Sequence, residues 1–516
     1  MMSFIQRYAG KIIGQMSGWD RLRFRGTLRM LAHAAGLSRF LGYKGVLLKD
    51  FGRYAQEVSE RTREASLEVA RAAGREVVYV RDSQASKEDL AREIQRRDGI
   101  QEGLICVLTA VENCGSYQVR GNRQTHLLEL RHERRKCLHL YHYYQHPEFG
   151  LLHVRLQSWL PLTVFIGLNG REWLSRQMDR AGIGYLRRDN CFAWVSDVAG
   201  AQELLHQQVR WDWNAALSAL ARQVNPALSQ VVGDYAVDYY WSLEESEWAT
   251  DVMFKEGREL SRQYGPLIRH GMEHLGSRDV LRFLGHKVPA VGIAPRLALE
   301  VTSDLKARPE GIRLKHRVGA NSVKMYNKQE SVLRFETTLN NMREMKAPRR
   351  EGGKVVYRRM RKGVGDIVRR AAVSQATNNR YMQAMAAAED TTPLKELTAD
   401  LARPVVQGRR RARGLNPLGE NDARLLEIIS DGKYLITGFR NRDLQAAWFE
   451  SPAQDVAEQR RRSGQVSRLL WLLRAHGLIK KTGGTYRYQV TSRGRQIIAA
   501  IQAARAANTA KLARAA

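Results

Sequence analysis

Hydrophobic and polar residues alternate with a period of two in residues 311–340, GIRLKHRVGANSVKMYNKQESVLRFETTLN. Two such runs joined by a polar turn at residues 327–331 predict a β-hairpin with one buried face. The other face is then exposed and carries Lys324, Tyr326, Lys328, Arg334 and Glu336. A turn centred near Gln329 places Lys324 opposite Arg334, and like charges so placed destabilise a sheet unless an anion lies between them. Glu336 or a phosphate group would supply that anion.

The first 200 residues have the pattern of a mixed α/β domain. Residues 1–18 are predicted to be an amphipathic helix, and residues 19–29 a strand with Asp20 on its apolar face, where a carboxylate needs a partner. Ser86 is placed to cap a helix. The order strand, helix, strand predicts a partly parallel sheet. The other predicted elements are helices at residues 49–75, 86–97 and 171–181, and strands at residues 77–80, 104–112, 137–144, 151–159 and 182–192, with His142 opposite His153.

Residues 201–289 are predicted to be mostly helical, because Leu and Ala recur at helical spacing in residues 201–224. A second long helix is predicted over residues 247–275, with a break at Pro266. The aromatic residues are dense here, which is more typical of a core than of a base-stacking platform.

Residues 290–401 are predicted to form a basic block of strands followed by a helix. Nine Lys or Arg residues lie in residues 347–370 against two acidic ones, and this excess favours a phosphate track over a solvated charged face. The contacts predicted in this block are Lys315, Arg317, Lys324, Tyr326, Lys328, Arg334, Arg358, Arg359, Arg361 and Lys362. Residues 402–421 are predicted to be a basic linker, in which Arg409, Arg410 and Arg411 follow a nucleic-acid backbone.

The most regular pattern belongs to residues 422–500. Helices are predicted at residues 422–430, 438–449 and 463–476, the last capped by Ser463 and ended by Gly477. A hairpin at residues 478–491 and a final helix follow. This order, with the run HGLIKKTGGTYRYQVTSRG, resembles a winged helix-turn-helix. The resemblance implies that a major groove is contacted by Gln465, Ser467, Arg468 and Arg474, and phosphates by Lys480, Lys481 and Arg487. A winged helix used for protein contacts is the alternative. Residues 501–516 are predicted to be a basic tail.

Composition narrows the class of partner. The chain has 516 residues, a length that predicts about three domains. Its formal net charge of +31 predicts a polyanionic partner, first of all nucleic acid. No apolar run is long enough to cross a membrane, so no membrane partner is expected. Four scattered cysteines without a CxxC pair favour a reducing cytoplasm over a disulfide framework or zinc finger. The P-loop, HExxH, GxSxG and His-x-His signatures are absent.

The stretch VGANSVKMYNKQESVLRFETTL resembles a strand pair of plasmid and filamentous-phage replication initiators, in which Tyr-Asp-Lys is followed by Arg-hydrophobe-Glu. The first triplet corresponds to Tyr326, Asn327 and Lys328, and the second to Arg334, Phe335 and Glu336. The resemblance implies a nicking domain, with Glu336 as a metal-binding or scaffold carboxylate and Tyr326 as a wall of the DNA site. Asn327 and the missing His-x-His pair depart from these families, and an ordinary basic hairpin is the alternative.

Metal-dependent cleavage of a phosphodiester needs clustered carboxylates that hold divalent cations. Glu336, Asp20 and Glu112 lie at or beside predicted strands, where such clusters are built, and they are the candidate catalytic residues. Further candidates are Asp189 and a group of His142, His153 and Glu148. Mg²⁺ or Mn²⁺ is expected only for a nuclease, and a salt-bridge role is the alternative for each carboxylate.

The whole chain resembles a group of bacterial proteins labelled hypothetical or MarR-like, on the stretches FGLLHVRLQSWLP, LNGREWLSRQM, KHRVGANSVKMYNK and GFRNRD. The resemblance implies a bacterial, cytoplasmic setting. We expect an α+β multidomain protein with a mixed α/β N-terminal region, a helical middle, a basic β-hairpin block and a C-terminal winged helix-turn-helix. It is expected to bind DNA in a mobile-element or replication system, with strand nicking and the oligomeric state left open. The alternatives are a non-enzymatic partner of a large structured RNA and a transcriptional regulator.

Overall fold

A computed structural model describes residues 4–507, except residues 83, 287, 289–299, 310, 344, 353, 387–393, 408–409, 435–437, 450 and 483–484. These residues form a mixed α+β protein around one large sheet. The helices are α1 (Phe4–Arg7), α2 (Ala34–Tyr43), α3 (Phe51–Ala72), α4 (Lys87–Arg97), α5 (Gly170–Arg180), α6 (Val198–Val209), α7 (Trp213–Val224), α8 (Leu228–Val232), α9 (Gly257–Glu273), α10 (Ser277–Phe283), α11 (Ile367–Met385), α12 (Leu394–Ala402), α13 (Glu420–Ile429), α14 (Asn441–Trp448), α15 (Val456–Ala475) and α16 (Ser492–Ala506).

The strands of the large sheet are β1 (Ile12–Leu28), β2 (Val77–Tyr79), β3 (Gly103–Gly121), β4 (Leu128–His146), β5 (Gly150–Gln157), β6 (Val164–Asn169), β9 (Tyr239–Phe254), β10 (Val301–Arg308), β11 (Gly311–Val318), β12 (Asn321–Lys328) and β13 (Val332–Leu339). Four separate pairs are β7 (Tyr185–Arg188) with β8 (Cys191–Val195), β14 (Lys346–Glu351) with β15 (Lys354–Arg359), β16 (Val405–Gln407) with β17 (Arg410–Ala412), and β18 (Ile479–Lys481) with β19 (Tyr488–Val490).

The large sheet has the order β10-β11-β12-β13-β9-β1-β6-β5-β4-β3-β2. Its strands pair antiparallel except β2 and β3, which are parallel. The two halves of the large sheet have the same order of elements. A long strand is followed by helices, and the chain then returns from the sheet edge, strand by strand, to pair with that long strand. In the first half the long strand is β1 and the returning strand is β6, and in the second they are β9 and β13. The two long strands pair with each other at the centre.

Side chains of successive strand residues point to opposite faces. One face of the sheet packs against the helices that form the two largest hydrophobic clusters. On this face Phe24 stacks on Trp213 of α7, with ring centroids 5.1 Å apart, and Phe335 meets Tyr381 of α11 at 5.8 Å. The opposite face, called the polar face below, carries the charged residues of β1, β9, β12 and β13.

The polar face is covered at one end by α5, β7, β8 and α6. Glycine at position 18 lets α6 pack closely on β1, because a Cβ atom there would lie 2.5 Å from the end of the Leu205 side chain and would displace it. Beyond this cover the polar face is open at Arg21 and Arg25, which are exposed. At β3 and β4 the same face is covered by α4, whose Lys87 pairs with Glu112.

A β-bulge in β1 gives Asp20 its position. Trp19 pairs with Trp248 and Arg21 pairs with Glu247, so Asp20 is an extra residue between them. A bulge re-aims a side chain that regular alternation would send elsewhere. Asp20 is therefore on the polar face, buried beside its charged neighbours.

Several local predictions are confirmed. The helix predicted at residues 49–75 is α3, preceded by a short 3-10 turn at Leu48–Asp50. Ser86 caps α4, its side chain accepting a hydrogen bond from the Asp89 backbone at 3.2 Å. The parallel pairing of β2 and β3 is also present. Among the described residues, none of the helices combines the length and the apolarity needed to cross a membrane.

Other predictions are wrong. Residues 12–18 belong to β1 rather than to an N-terminal helix, and residues 239–254 are the central strand β9 rather than part of a helical region. Pro266 lies inside α9. Residues 182–192 contribute to the separate β7–β8 pair. His142 is opposite Val154, because the register of β4 and β5 differs by one residue from the predicted one.

The C-terminal unit, residues 394–507, has its own hydrophobic cluster. Ala412 and Leu415, in the stretch predicted to be a linker, are buried in this cluster. α15 begins at Val456 with Asp455 as its N-cap, so Ser463 lies in its interior rather than at its start. Gly477 follows the helix with a positive φ of 67°, as expected of its stop signal.

Candidate functional site

Three carboxylates meet on the polar face at the centre of the sheet. Asp20 comes from the bulge of β1, Glu247 from β9 and Glu336 from β13, which are neighbouring strands. One carboxylate oxygen from each residue lies within 4.8 Å of the others. Carboxylate oxygens are the ligands that Mg²⁺ and Mn²⁺ prefer, so these three residues are those that could hold a divalent cation.

Cations from the same strands surround the three carboxylates. The Lys324 ammonium donates to Glu336 at 2.5 Å and to Glu247 at 2.9 Å. Arg21 donates to Glu247 at 3.1 Å from the open side of the cluster. A lysine between the buried Glu336 and the half-buried Glu247 neutralises part of their charge, which is also what a bound metal would do.

A fully buried ion network supports the cluster from one side. Arg334 donates to both oxygens of Asp251, at 2.6 and 2.9 Å, and to Asp20 at 3.0 Å. Arg171, from the first turn of α5, forms an ion pair with the same Asp251 at 3.0 Å. The side chains of Arg334, Asp251 and Arg171 have no exposed surface. Such a fork-to-fork pairing fixes the orientation of Arg334 and, through it, of Asp20.

The turn between β7 and β8 closes this network. The Asn190 side-chain amide donates to both oxygens of Asp20, at 3.1 and 3.0 Å, and its backbone carbonyl accepts from Arg334 at 2.7 Å. Lys328 donates to the Asn190 side chain and to Asp189, the latter at 3.3 Å. A segment far away in sequence therefore orients Asp20.

The electrostatics of the cluster differ between its members. Burial, and then repulsion by Glu247, raises the pKa of Glu336. Burial alone would raise the pKa of Glu247 as well, but Lys324 and Arg21 outweigh it and lower that pKa. Burial together with the charge of Glu336 raises the pKa of Tyr326 to about 12. The Tyr326 phenol is thus protonated at neutral pH, and burial disfavours the ionised form of Glu336.

The open part of the polar face combines cations with an aromatic ring. Phe165 of β6 is half-buried, and the guanidinium groups of Arg155, Arg23 and Arg25 lie 4.1, 5.3 and 5.8 Å from its ring centroid. Arg23 is paired with Glu245 at 3.0 Å and Arg155 with Glu112 at 3.2 Å. Arg25 forms no ion pair within the described ranges. Arginine planes beside an aromatic ring are a suitable surface for bases and phosphates.

The predicted catalytic trio is assembled only in part. Asp20 and Glu336 meet, but Glu112 is on β3, where Tyr141 donates to it at 2.6 Å and Lys87 and Arg155 each pair with it at 3.2 Å. Four strands separate β3 from β9 in the sheet. The third carboxylate of the cluster is Glu247 instead. It is not predicted from the sequence, because residues 247–275 are predicted to be a helix. A signal was available: Trp248, Thr250, Val252 and Phe254 alternate with Glu247, Ala249, Asp251 and Met253.

The remaining candidates for chemistry do not join the cluster. His142 donates to or accepts from Ser66 of α3, on the packed face. His153 pairs with Tyr143 rather than with His142. Glu148 accepts from Arg180 at 2.6 Å and from Gln177 at 3.0 Å.

The polar residues of β12 and β13 are buried rather than exposed, which corrects the predicted phosphate-facing surface. Lys324 is opposite Glu336, and Tyr326 is opposite Arg334, so the register also differs from the predicted one. The strands β7 and β8 and the neighbouring carboxylates account for the burial. The residues affected are Lys324, Tyr326, Lys328, Arg334 and Glu336. On β11, Lys315 is half-buried and Arg317 is exposed.

The other predicted contacts lie on surfaces outside the sheet. Arg358 pairs with Glu351 at 2.5 Å and Lys362 with Glu244 at 3.0 Å, whereas Arg359 and Arg361 are exposed without an ion pair to any described residue. Arg410 and Arg411 are exposed in β17, and Arg409 is outside the described residues. Gln465, Ser467, Arg468 and Arg474 are exposed on α15, Lys480 and Lys481 are exposed on β18, and Arg487 is half-buried.

Comparison of the chain with protein-family models, with curated proteins and with solved structures finds no match in any of the three.

Proposed function

We propose that the protein binds nucleic acid, with duplex DNA favoured, in a bacterial mobile-element or replication system of the cytoplasm. The main observation behind this proposal is a set of cations on the C-terminal unit that no acid among the described residues neutralises. Arg468, Arg474, Lys480 and Lys481 are exposed, and none forms an ion pair with another residue in the described part of the chain. Exposed cations without acidic partners, on a protein with a net charge of +31, are the usual means of binding phosphates.

The order of elements supports a winged helix-turn-helix as the reading unit. α13, α14 and α15 are followed by the β18–β19 pair and by α16. In this proposal α15 enters the major groove, with Gln465 and Arg468 directed to base edges. Lys480 and Lys481 of β18 contact phosphates beside the groove.

The test is to purify the protein from its native host at moderate salt and to sequence the nucleic acid that accompanies it. Recovery of DNA from defined loci supports the proposal. A single abundant RNA that is lost on RNase treatment contradicts it and supports a ribonucleoprotein. Fluorescence anisotropy with labelled duplex DNA then gives affinity and its salt dependence.

A second candidate function is metal-dependent strand cleavage, favoured by the convergence of Asp20, Glu247 and Glu336. Cleavage of a phosphodiester requires divalent cations held at the scissile phosphate. Carboxylates on neighbouring strands supply their ligands. Burial, and then repulsion by Glu247, raises the pKa of Glu336, so a divalent cation bound here would favour the ionised carboxylate. In this proposal Arg21 and Arg23, on the open side of the cluster, hold the flanking phosphates.

Glu336→Gln is the matched test, with Glu112→Gln as the control because Glu112 is a half-buried carboxylate outside the cluster. Nicking of labelled single- and double-stranded DNA is measured with Mg²⁺ or Mn²⁺, and thermal unfolding is measured with and without Mn²⁺. Glu336→Gln is expected to abolish both nicking and stabilisation by Mn²⁺ while DNA binding persists. If Glu336→Gln and Glu112→Gln show the same nicking and the same stabilisation by Mn²⁺, a metal site at this cluster is contradicted.

A further inference from the structure

The C-terminal unit contacts the rest of the protein along a seam that places two basic hairpins side by side. Arg487 immediately precedes β19, and its guanidinium lies 4.7 Å from the ring centroid of Tyr357 in β15. Arg278 of α10 pairs with Glu427 of α13 at 2.9 Å. The β14–β15 pair and the β18–β19 pair therefore approach each other at Tyr357.

Four arginines gather at this seam. Arg369 of α11 and Arg487 both act electrostatically on Tyr357, from the two sides of the seam. Arg440, at the N-cap of α14, and Arg442, in its first turn, act on Arg487 as like charges. Arg369, Arg440 and Arg442 form no ion pair with any residue that the structure describes. Asp443, the acid near Arg487, already accepts from the Arg440 backbone at 2.8 Å.

Two of these guanidinium groups have buried N–H donors without a hydrogen-bond partner among the described residues. They are Nη2 of Arg369 and Nε of Arg440. The Nε atom of Arg369 donates to the Lys346 carbonyl at 3.1 Å, which fixes the direction of its planar head group. A buried donor left unpaired is costly, and more so when it carries charge.

Burial adds to this cost. Burial lowers the pKa of Arg369. Burial, and then repulsion by Arg440, lowers the pKa of Arg487. An anion with several acceptor oxygens would accept hydrogen bonds from the unpaired N–H groups and would also compensate the buried positive charge. Guanidinium groups suit such an anion because they donate in pairs to phosphate oxygens.

We propose that this seam binds a backbone phosphate of the duplex DNA that lies on the C-terminal unit. The inference rests on the proposed function, and it adds a contact that the winged helix-turn-helix alone does not supply. Lys480 and Lys481 are on β18, the strand that pairs with β19 next to Arg487, so a duplex held by β18 passes the seam. The exposed Lys346 and Arg359, opposite one another in β14 and β15, continue the same track. The seam thereby extends the DNA footprint onto the body of the protein.

The experiment uses the full chain and a short duplex of mixed sequence. The variant Arg369→Gln with Arg440→Gln is compared with Arg53→Gln with Arg222→Gln, which removes two exposed arginines from α3 and α7. The logarithm of the binding constant is measured against the logarithm of the salt concentration. Loss of one phosphate contact is expected to lower the slope by about 1 for the seam variant, with the control unchanged.

Equal slopes for the two double variants, with the wild type binding DNA, overturn the seam proposal and leave the proposed function standing. A wild type that does not bind the duplex overturns the proposed function itself. Stabilisation of the wild type by inorganic phosphate, with equal slopes for DNA, assigns the seam to a free anion and overturns the proposal. If the seam variant does not fold, the exposed Arg442→Gln replaces it with the same expected direction.

Discussion

Arg334 and Arg468 carry the same charged group in opposite surroundings. Arg334, at the centre of the sheet, has no exposed surface and donates to Asp20, Asp251 and the Asn190 backbone. Arg468, on the outer face of α15, is exposed and has no acidic partner in the described chain. A cation in a basic sequence is therefore a candidate for binding phosphate only where neighbouring strands and helices leave it unneutralised. The inner cations organise carboxylates, and the outer ones are available to a partner.

Among the variants considered, Arg334→Met should destabilise the protein most. The change leaves Asp20 and Asp251 buried with less compensation, and loss of one partner from a buried ion pair costs about 3 to 5 kcal/mol of unfolding free energy. Urea unfolding measures the loss, with Arg468→Met as the matched control of unchanged stability. A small effect at Arg334 would mean that Arg171 alone neutralises Asp251.

A second test lowers the pH to protonate a buried histidine, His142. Burial lowers the pKa of His142 to about 4, whereas the unfolded chain titrates near 6.5. The unfolded state therefore takes up a proton first, and stability is lost as the pH falls from about 6.5 towards 4. For this residue the loss is about 2 kcal/mol between pH 7 and pH 5. Urea unfolding of the wild type and His142→Gln at both pH values isolates it, because the variant should lack this part of the pH dependence. Parallel pH dependences would show that His142 is not the group that titrates.

On the outer side, Arg468→Ala is expected to weaken duplex DNA binding by about tenfold, since a good arginine contact to a base edge contributes about 1 to 3 kcal/mol. The unfolding free energy should stay within about 0.5 kcal/mol of the wild type, because no described partner is lost. Anisotropy and urea unfolding give the two values. Weakened folding with unchanged affinity would assign Arg468 to the inner class.

Arg21 lies between the two classes and gives the smallest expected effect. Its side chain is 63% exposed although it pairs with Glu247 at 3.1 Å. Exposed pairs contribute less than about 1 kcal/mol, so Arg21→Gln should lower stability by no more than that in a urea titration. If the metal proposal holds, the same variant loses nicking rate, and an unchanged rate would remove Arg21 from the phosphate contacts.

Local pattern was sufficient where neighbours in sequence determine the structure. The Ser86 cap, the helix α3, the parallel β2–β3 pair and the stop at Gly477 depend on residues close to them. Asp20 and Glu336 were singled out for the same reason, since each is a carboxylate in an alternating run. Their convergence was not derivable, because it needs the β1–β9 and β9–β13 pairings.

The sequence pattern does not predict the burial of the polar strand faces, for a similar physical reason. Alternation shows that β12 has two kinds of face, but it does not show that β7, β8 and α5 cover the polar one. Glu247 was missed because β9 is interior and has acidic residues beside tryptophans, which weakens the strand signal. The charges on β13 and β9 compensate one another, and that pairing is fixed by tertiary structure alone.

The position of β1 has a consequence for synthesis on the ribosome. Its two partner strands end at residues 169 and 254, so the first long strand of the chain leaves the exit tunnel well before either partner exists. At about 5–20 residues per second, the wait for all of β9 is on the order of 10 to 45 s. During that time Leu22, Phe24 and the edges of β1 are open to other chains, which makes the nascent protein a natural client for chaperones that shield unpaired strands.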